Sequence, residues 1–172
     1  PQILAVHASN RATSNTLTLW GKVKQHLEGS CRVQEISLQN GTVVDCNGCP
    51  YQTCRHFGET CSCFYGGVIV EEVYPAILNC DALVILCPNY NDAVSANLSA
   101  FINRLTALFS QVRFYEKAVF CLVVSGYSGG DIVAKQILGA LNMNKTFLLP
   151  SRFALLATAN DPFRINKIAD ID

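Results

Sequence analysis

Neither sign of charge prevails in this chain: thirteen Lys and Arg balance thirteen Asp and Glu over 172 residues. No overall field therefore draws it to nucleic acid or to an anionic membrane, and small-molecule partners are expected. Long apolar runs are missing as well. Residues 82–87 and 118–124 are far shorter than the roughly 20 residues that span a bilayer. The first residues enter a strand-like run without the basic flank, apolar core and cleavage site of a secretory signal, so a cytoplasmic protein is expected. The three histidines are scattered, and the chain contains no H-E-x-x-H helix and no Ser, His and acid order, so zinc-protease and triad chemistry lack their residues. Neither G-x-G-x-x-G nor a P-loop occurs, which leaves a dinucleotide fold and a nucleotide hydrolase unsupported. Internal repeats, low-complexity tracts and linkers are also lacking. With half its residues hydrophobic, the chain has the material for one core, and residues 1–172 are expected to form a single domain.

Cysteine, by contrast, is plentiful. Nine is an odd number, unevenly distributed in a chain large enough to fold without staples, which argues against a secreted disulfide scaffold. Cys80, Cys87 and Cys121 sit in or beside apolar runs and are expected to behave as small buried hydrophobes. Five others, Cys46, Cys49, Cys54, Cys61 and Cys63, crowd one short segment.

The periodicities alternate between two kinds. Residues 3–7 read as a strand, 9–15 as a polar loop and 16–27 as a helix; a second strand follows at 32–37, then a long loop carrying the cysteine cluster as far as Gly66 and Gly67. Residues 68–78 read as a helix made irregular by Pro75, 82–87 as a strand buried on both faces, and 88–95 as a turn-rich loop. Leu98, Phe101, Ile102, Leu105, Leu108 and Phe109 recur at steps of three and four, marking an amphipathic helix from Ala96. A fourth strand at 118–124, a glycine-rich turn at 125–130 and a helix capped by Asp131 and reaching about Asn142 come next. A fifth strand at 153–157 precedes Asp161 and Pro162, which would open a final short helix. Buried strands alternating with helices imply an α/β domain whose five-stranded parallel sheet is doubly wound, with helices on both faces. In such sheets ligands lie beyond the carboxyl ends of the strands, here in the loops after strands one, three and four.

The loop after the first strand carries Ser9, Arg11, Thr13, Ser14, Asn15 and Thr16 at the mouth of a helix. Unpaired N–H groups, hydroxyls and a guanidinium suit a phosphate, although a capped polar turn has the same composition. Pro88, Asn89, Tyr90 and Asn91 follow the third strand, and Ser125, Gly126, Tyr127 and Gly129 follow the fourth. Each loop alone is compatible with a simple turn; their common position at one sheet edge favours a ligand site.

Ser9-x-Arg11-x-x-Ser14-x-Thr16 after a strand, Pro88-Asn89-Tyr90 after the third strand, and a helix with Phe101-Ile102-Asn103-Arg104 together resemble the NADPH-dependent FMN reductase family over nearly the whole chain. The resemblance implies a flavodoxin-like fold and an FMN phosphate on Ser9, Arg11, Ser14, Asn15 and Thr16. It places the isoalloxazine ring against Pro88, Asn89, Tyr90, Asn91, Ser125, Gly126, Tyr127 and Gly129. It also implies NAD(P)H as electron donor, a quinone, flavin or similar small acceptor, and a homodimer with Phe114 and Tyr115 as contact residues. No catalytic side chain is expected, because a flavin brings its own hydride and one-electron chemistry. His7 stands where the family more often has small residues and is read as a packed strand-end histidine.

The cysteine segment resembles the motif of iron-sulfur flavoproteins, with Cys46, Cys49, Cys54 and either Cys61 or Cys63 as candidate ligands. Those proteins have two residues between the second and third cysteines, whereas four separate Cys49 from Cys54 here. Free or reversibly paired thiols are therefore preferred to a cluster, and a cluster to zinc. Two other functions compete with the reductase: a flavodoxin-like electron carrier, disfavoured by the neutral charge, and a thiol or iron-sulfur sensor.

Overall fold

A computed structural model describes residues 1–39 and 41–162. Five strands, β1 (Gln2–His7), β2 (Arg32–Ser37), β3 (Ala82–Asn89), β4 (Ala118–Ser125) and β5 (Ala154–Thr158), form one sheet in the order β2-β1-β3-β4-β5. Every pairing is parallel. This is the flavodoxin-like order, with its reversal point between β1 and β3. The helices are α1 (Asn15–Leu27), α2 (Tyr51–Gly58), α3 (Tyr74–Asn79), α4 (Ala96–Phe109) and α5 (Gly130–Leu138).

Alternation along the strands divides the core in two. Leu4, Val6, Leu83, Ile85, Val119, Cys121 and Val123 face Ile77, Phe101, Leu105 and Ile137 of α3, α4 and α5. Ile3, Ala5, Val84, Leu86, Leu122 and Val124 face Leu19 and Trp20 of α1. Each Val, Leu, Ile or Phe side chain so removed from water contributes about 1.5–3 kcal/mol, and the central strands, covered on both faces, read as unbroken apolar runs. The thiols of Cys80, Cys87 and Cys121 belong to this interior, and burial pushes all three up, Cys121 to about 12.

The register fixes the site. Asn89 pairs with Ser125 and Ser125 with Thr158, while His7 pairs with Ser37 and Leu86, so the carboxyl ends of all five strands share one rim.

Several boundaries differ from the sequence reading. The cysteine segment contains a helix, α2, whose start follows Pro50; its eight mostly polar residues offer little apolar periodicity. Residues 68–78 split into a π-helical turn, Ile69–Val73, and α3, with Pro75 in the first turn of the latter, where a missing N–H costs least. α5 begins after Gly129, not after Asp131, and passes into a second π-helical turn, Gly139–Met143. Asp131 lies in the first turn and pairs with Lys135 at 3.2 Å, a placement the helix dipole also favours. Pro88 and Asn89 belong to β3 itself. The helix expected after Pro162 lies outside the described residues. Phe114 is not a surface contact: it is fully buried and stacks on Phe147 at 4.5 Å, leaving Tyr115 exposed.

Candidate flavin site

α1 opens at the rim. Ser14 caps it, its Oγ accepting from Leu17 N–H at 3.3 Å and its carbonyl from Thr18 N–H at 2.9 Å. The N–H groups of Asn15 and Thr16, the first two of the helix, thus have no intrahelical acceptor and point outward with the positive end of the dipole. Asn15 donates from Nδ2 to the Asp161 carbonyl at 2.8 Å, while its buried Oδ1 has no partner. The loop before it is held by His7, whose Nδ1 accepts from Ser9 N–H at 3.2 Å. Burial holds the His7 imidazole below the usual histidine range, against a weaker opposing pull from Glu35. His7 is therefore a neutral acceptor that shapes the loop.

The β3 and β4 loops are fastened together by Asn89. Its Nδ2 lies 3.0 Å from Asp92 Oδ1, 3.1 Å from Ser125 Oγ and 3.0 Å from the Ser128 carbonyl, and its Oδ1 accepts from Asp92 N–H at 2.8 Å. Asp92 occupies the left-handed region at φ 54°. Opposite it, Gly129 sits at φ 87°, and a Cβ there would run into the Asp92 carboxylate. Only glycine meets both requirements.

Two adjoining clefts open between these loops. The first, of about 210 Å³, is lined by Arg11, Thr13, Ser14, Asn15, Thr16, Pro88, Asn89, Tyr90 and Gly126 on one side and by Ala159, Asn160 and Pro162 on the other. The second, of about 470 Å³, runs from Ser9 and Arg11 past Pro88, Tyr90 and Asn91 to Ala96 and Asn97. Arg11, Pro88 and Tyr90 line both. Of the expected site residues, ten thus line one cleft or both. Ser125, Tyr127 and Gly129 line neither: Ser125 is buried as an acceptor for Asn89, Tyr127 projects into solvent, and Gly129 backs Asp92. The loop after β5 was missed. Asn160 crowds Gly126, its Oδ1 only 2.7 Å from where a Cβ would be. The carboxyl-edge rule applied to the fifth strand would have found it.

A phosphate-bearing, planar ligand fits this rim: a helix N-terminus with two free N–H groups and a guanidinium meet beside an aromatic and a glycine. Four of the five iron-sulfur candidates line one small gap. Cys46, Cys49, Cys54 and Cys63 surround a gap of about 20 Å³, room for about one water, and Cys61 stands outside it. Among the described residues no group of three or more His, Cys, Asp and Glu is disposed to hold a metal ion.

Residues 1–161 match the NADPH-dependent FMN reductase family, and the chain belongs to it. It is an NAD(P)H-dependent flavin oxidoreductase with FMN as its cofactor. No curated protein matches it in sequence. Among solved structures it is similar to RosB, captured with bound 8-demethyl-8-formylriboflavin-5′-phosphate (TM-score 0.72, 15% identity, 92% of this chain and 65% of that one). It is also similar to an NAD(P)H:quinone oxidoreductase from Methanothermobacter marburgensis (0.71, 14%, 97% and 89%). A third is the azoreductase from Bacillus anthracis str. Sterne (0.66, 14%, 91% and 86%). At such identities the likeness is one of fold. No helix among the described residues is long and apolar enough to cross a membrane.

Proposed function

We propose that the two adjoining clefts together receive FMN and the small molecules it serves, and that the chain passes electrons from NAD(P)H to a quinone, a free flavin or a similar acceptor. The observation that carries this is the shared wall of Arg11, Pro88 and Tyr90, which sets a cation and an aromatic ring between a phosphate-sized anion site and a wider opening. The Asn15 and Thr16 N–H groups, the hydroxyls of Ser9, Ser14 and Thr16, and Arg11 bind the phosphate. Asn89, Ser125 and Gly129 hold the two ring-facing loops in register, and Gly126, Tyr90 and Asn91 face the ring. Tyr127, exposed at the mouth, contacts the incoming donor or acceptor. Bound FMN supplies the hydride and one-electron chemistry; the chain orients it and limits the access of water. The quinone oxidoreductase and azoreductase among the structural relatives support a small redox-active acceptor.

On this reading residues 1–172 act as one FMN-binding domain. Its nine free thiols suit the reducing cytoplasm. A homodimer that covers the cleft mouth is consistent with the exposure of Tyr90, Tyr127 and Ile132 at that rim.

An anaerobic FMN titration followed by NADPH addition tests the assignment. Saturable binding followed by bleaching of the flavin bands is expected, and Arg11→Ala weakens binding. Binding without bleaching would replace the reductase with a carrier; no binding would overturn the site.

A further inference from the structure

The cysteine segment follows β2 and packs on α4 through α2, outside the residues that line the two clefts. Arg104 of α4 anchors it from below, donating to the carbonyls of Val44 at 3.2 Å and Gly66 at 2.5 Å, and Asn103 donates to Asp45 at 3.1 Å. Four cysteines, Cys46, Cys49, Cys54 and Cys63, line the one-water gap together with Asn103, Arg104 and Ala107. They are not equivalent. Cys46 also lines an open groove of about 580 Å³, together with Gly48, Asn103, Thr106, Asn144 and Lys145. Cys49 faces inward, its thiol donating to the Tyr65 hydroxyl at 3.5 Å. Cys54 is held protonated, burial first and the neighbouring thiols second pushing it up. Between Cys46 and Cys49, Gly48 takes φ 80°, and the Asn47 N–H, at 3.3 Å, donates to the same Tyr65 hydroxyl as the Cys49 thiol, so both halves of the C-x2-C segment meet one ring. Lys145 is a cation buried in the groove wall, where its ammonium donates to Asn144 and lies 5.5 Å from the centre of the Phe109 ring.

We propose that Cys46 and Cys49 form a thiol–disulfide exchange couple that reduces an anionic low-molecular-weight disulfide seated in the groove beside Lys145. The Cys46 thiolate attacks one sulfur of the small disulfide; that S–S bond breaks, a mixed disulfide forms, and one small thiolate leaves and is protonated. Cys49, as thiolate, then attacks the Cys46 sulfur, the mixed disulfide breaks, and the second small thiol departs with the remaining proton. Two protein thiols are oxidised to one disulfide and one small disulfide is reduced to two thiols, so electrons and protons balance. Cys46 is the attacking sulfur because it alone of the four lines both the groove and the thiol cavity. Lys145 supplies the charge that selects an anionic partner.

The test uses the reduced, FMN-loaded protein and oxidised glutathione under anaerobic conditions, with intact-mass and peptide mapping. The wild type should lose two hydrogens, gain a Cys46–Cys49 disulfide and retain no adduct. Cys49→Ser should trap glutathione on Cys46, Cys46→Ser should lose both products, and Cys61→Ser should behave as wild type. Lys145→Gln should slow the reaction with oxidised glutathione and leave that with neutral hydroxyethyl disulfide unchanged. Oxidation of Cys46→Ser at the wild-type rate, or an adduct at Cys31 or Cys61 in place of Cys46, would overturn the proposal. If the Cys46 variants lose FMN through misfolding, the order of alkylation in the wild type decides: Cys46 labelled first supports the couple, and Cys46 protected refutes it.

Discussion

Burial gives His7 a direction of response to acid. Its imidazole is held below the ordinary histidine pKa of about 6.5, so below that pH the unfolded chain takes up a proton that the native one does not. Stability should therefore fall as pH drops through that value, and continue to fall until native His7 itself protonates. Protonation would also remove the acceptor for Ser9 N–H and loosen the phosphate loop. Urea unfolding at about pH 7.5 and 5.5 should show the loss in the wild type and a smaller one in His7→Gln. An equal loss in both would place the effect elsewhere. Single residues also explain what the sequence concealed. The loops after β1 and β3 were legible as a candidate site only together, because each alone has the composition of a simple turn and what distinguishes them is their common position at one sheet edge. The role of Asn89 was not legible: whether an amide faces a ligand or ties two loops together depends on Ser125 and Ser128, which are distant in sequence.

At the scale of elements, α4 was the clearest from sequence because a long run of apolar residues at helical spacing has few other interpretations, and it spans Ala96–Phe109. α2 was invisible for the opposite reason: eight residues, mostly polar, are held helical by packing on α4 and not by their own pattern. What fastens that packing is a buried arginine. Arg104 donates to two loop carbonyls, approaches the Tyr65 ring at 5.8 Å, and receives the Tyr74 hydroxyl on its own carbonyl. Arg104→Met keeps the stem and removes the donors, leaving the Val44 and Gly66 carbonyls unsatisfied. A loss of about 2–3 kcal/mol is expected, with new protease cleavage between residues 41 and 66. Unchanged stability together with an intact loop under limited proteolysis would show that the loop is held by α2 alone.

For the whole molecule, an open rim implies coupling between cofactor and stability. A ligand that binds only the native state raises stability by about 2.7 kcal/mol at a hundredfold excess over its dissociation constant. Thermal unfolding should shift upward with added FMN and go on rising logarithmically, whereas riboflavin, lacking the phosphate proposed to meet Asn15, Thr16 and Arg11, should shift it far less. Equal shifts would remove the phosphate loop from the account.

The same helix that walls the wider cleft through Ala96 and Asn97 anchors the cysteine loop through Asn103 and Arg104. From Asn97 to Arg104 is seven residues, about 10 Å of axial rise and close to two full turns. α4 therefore acts as a ruler between the two sites, setting both their separation and their relative azimuth. A single residue inserted midway would advance one end by about 1.5 Å but swing it by about 100°, turning Arg104 away from the loop while the cleft wall stayed in place. Substitutions can be absorbed along this segment one side chain at a time; changes of length cannot.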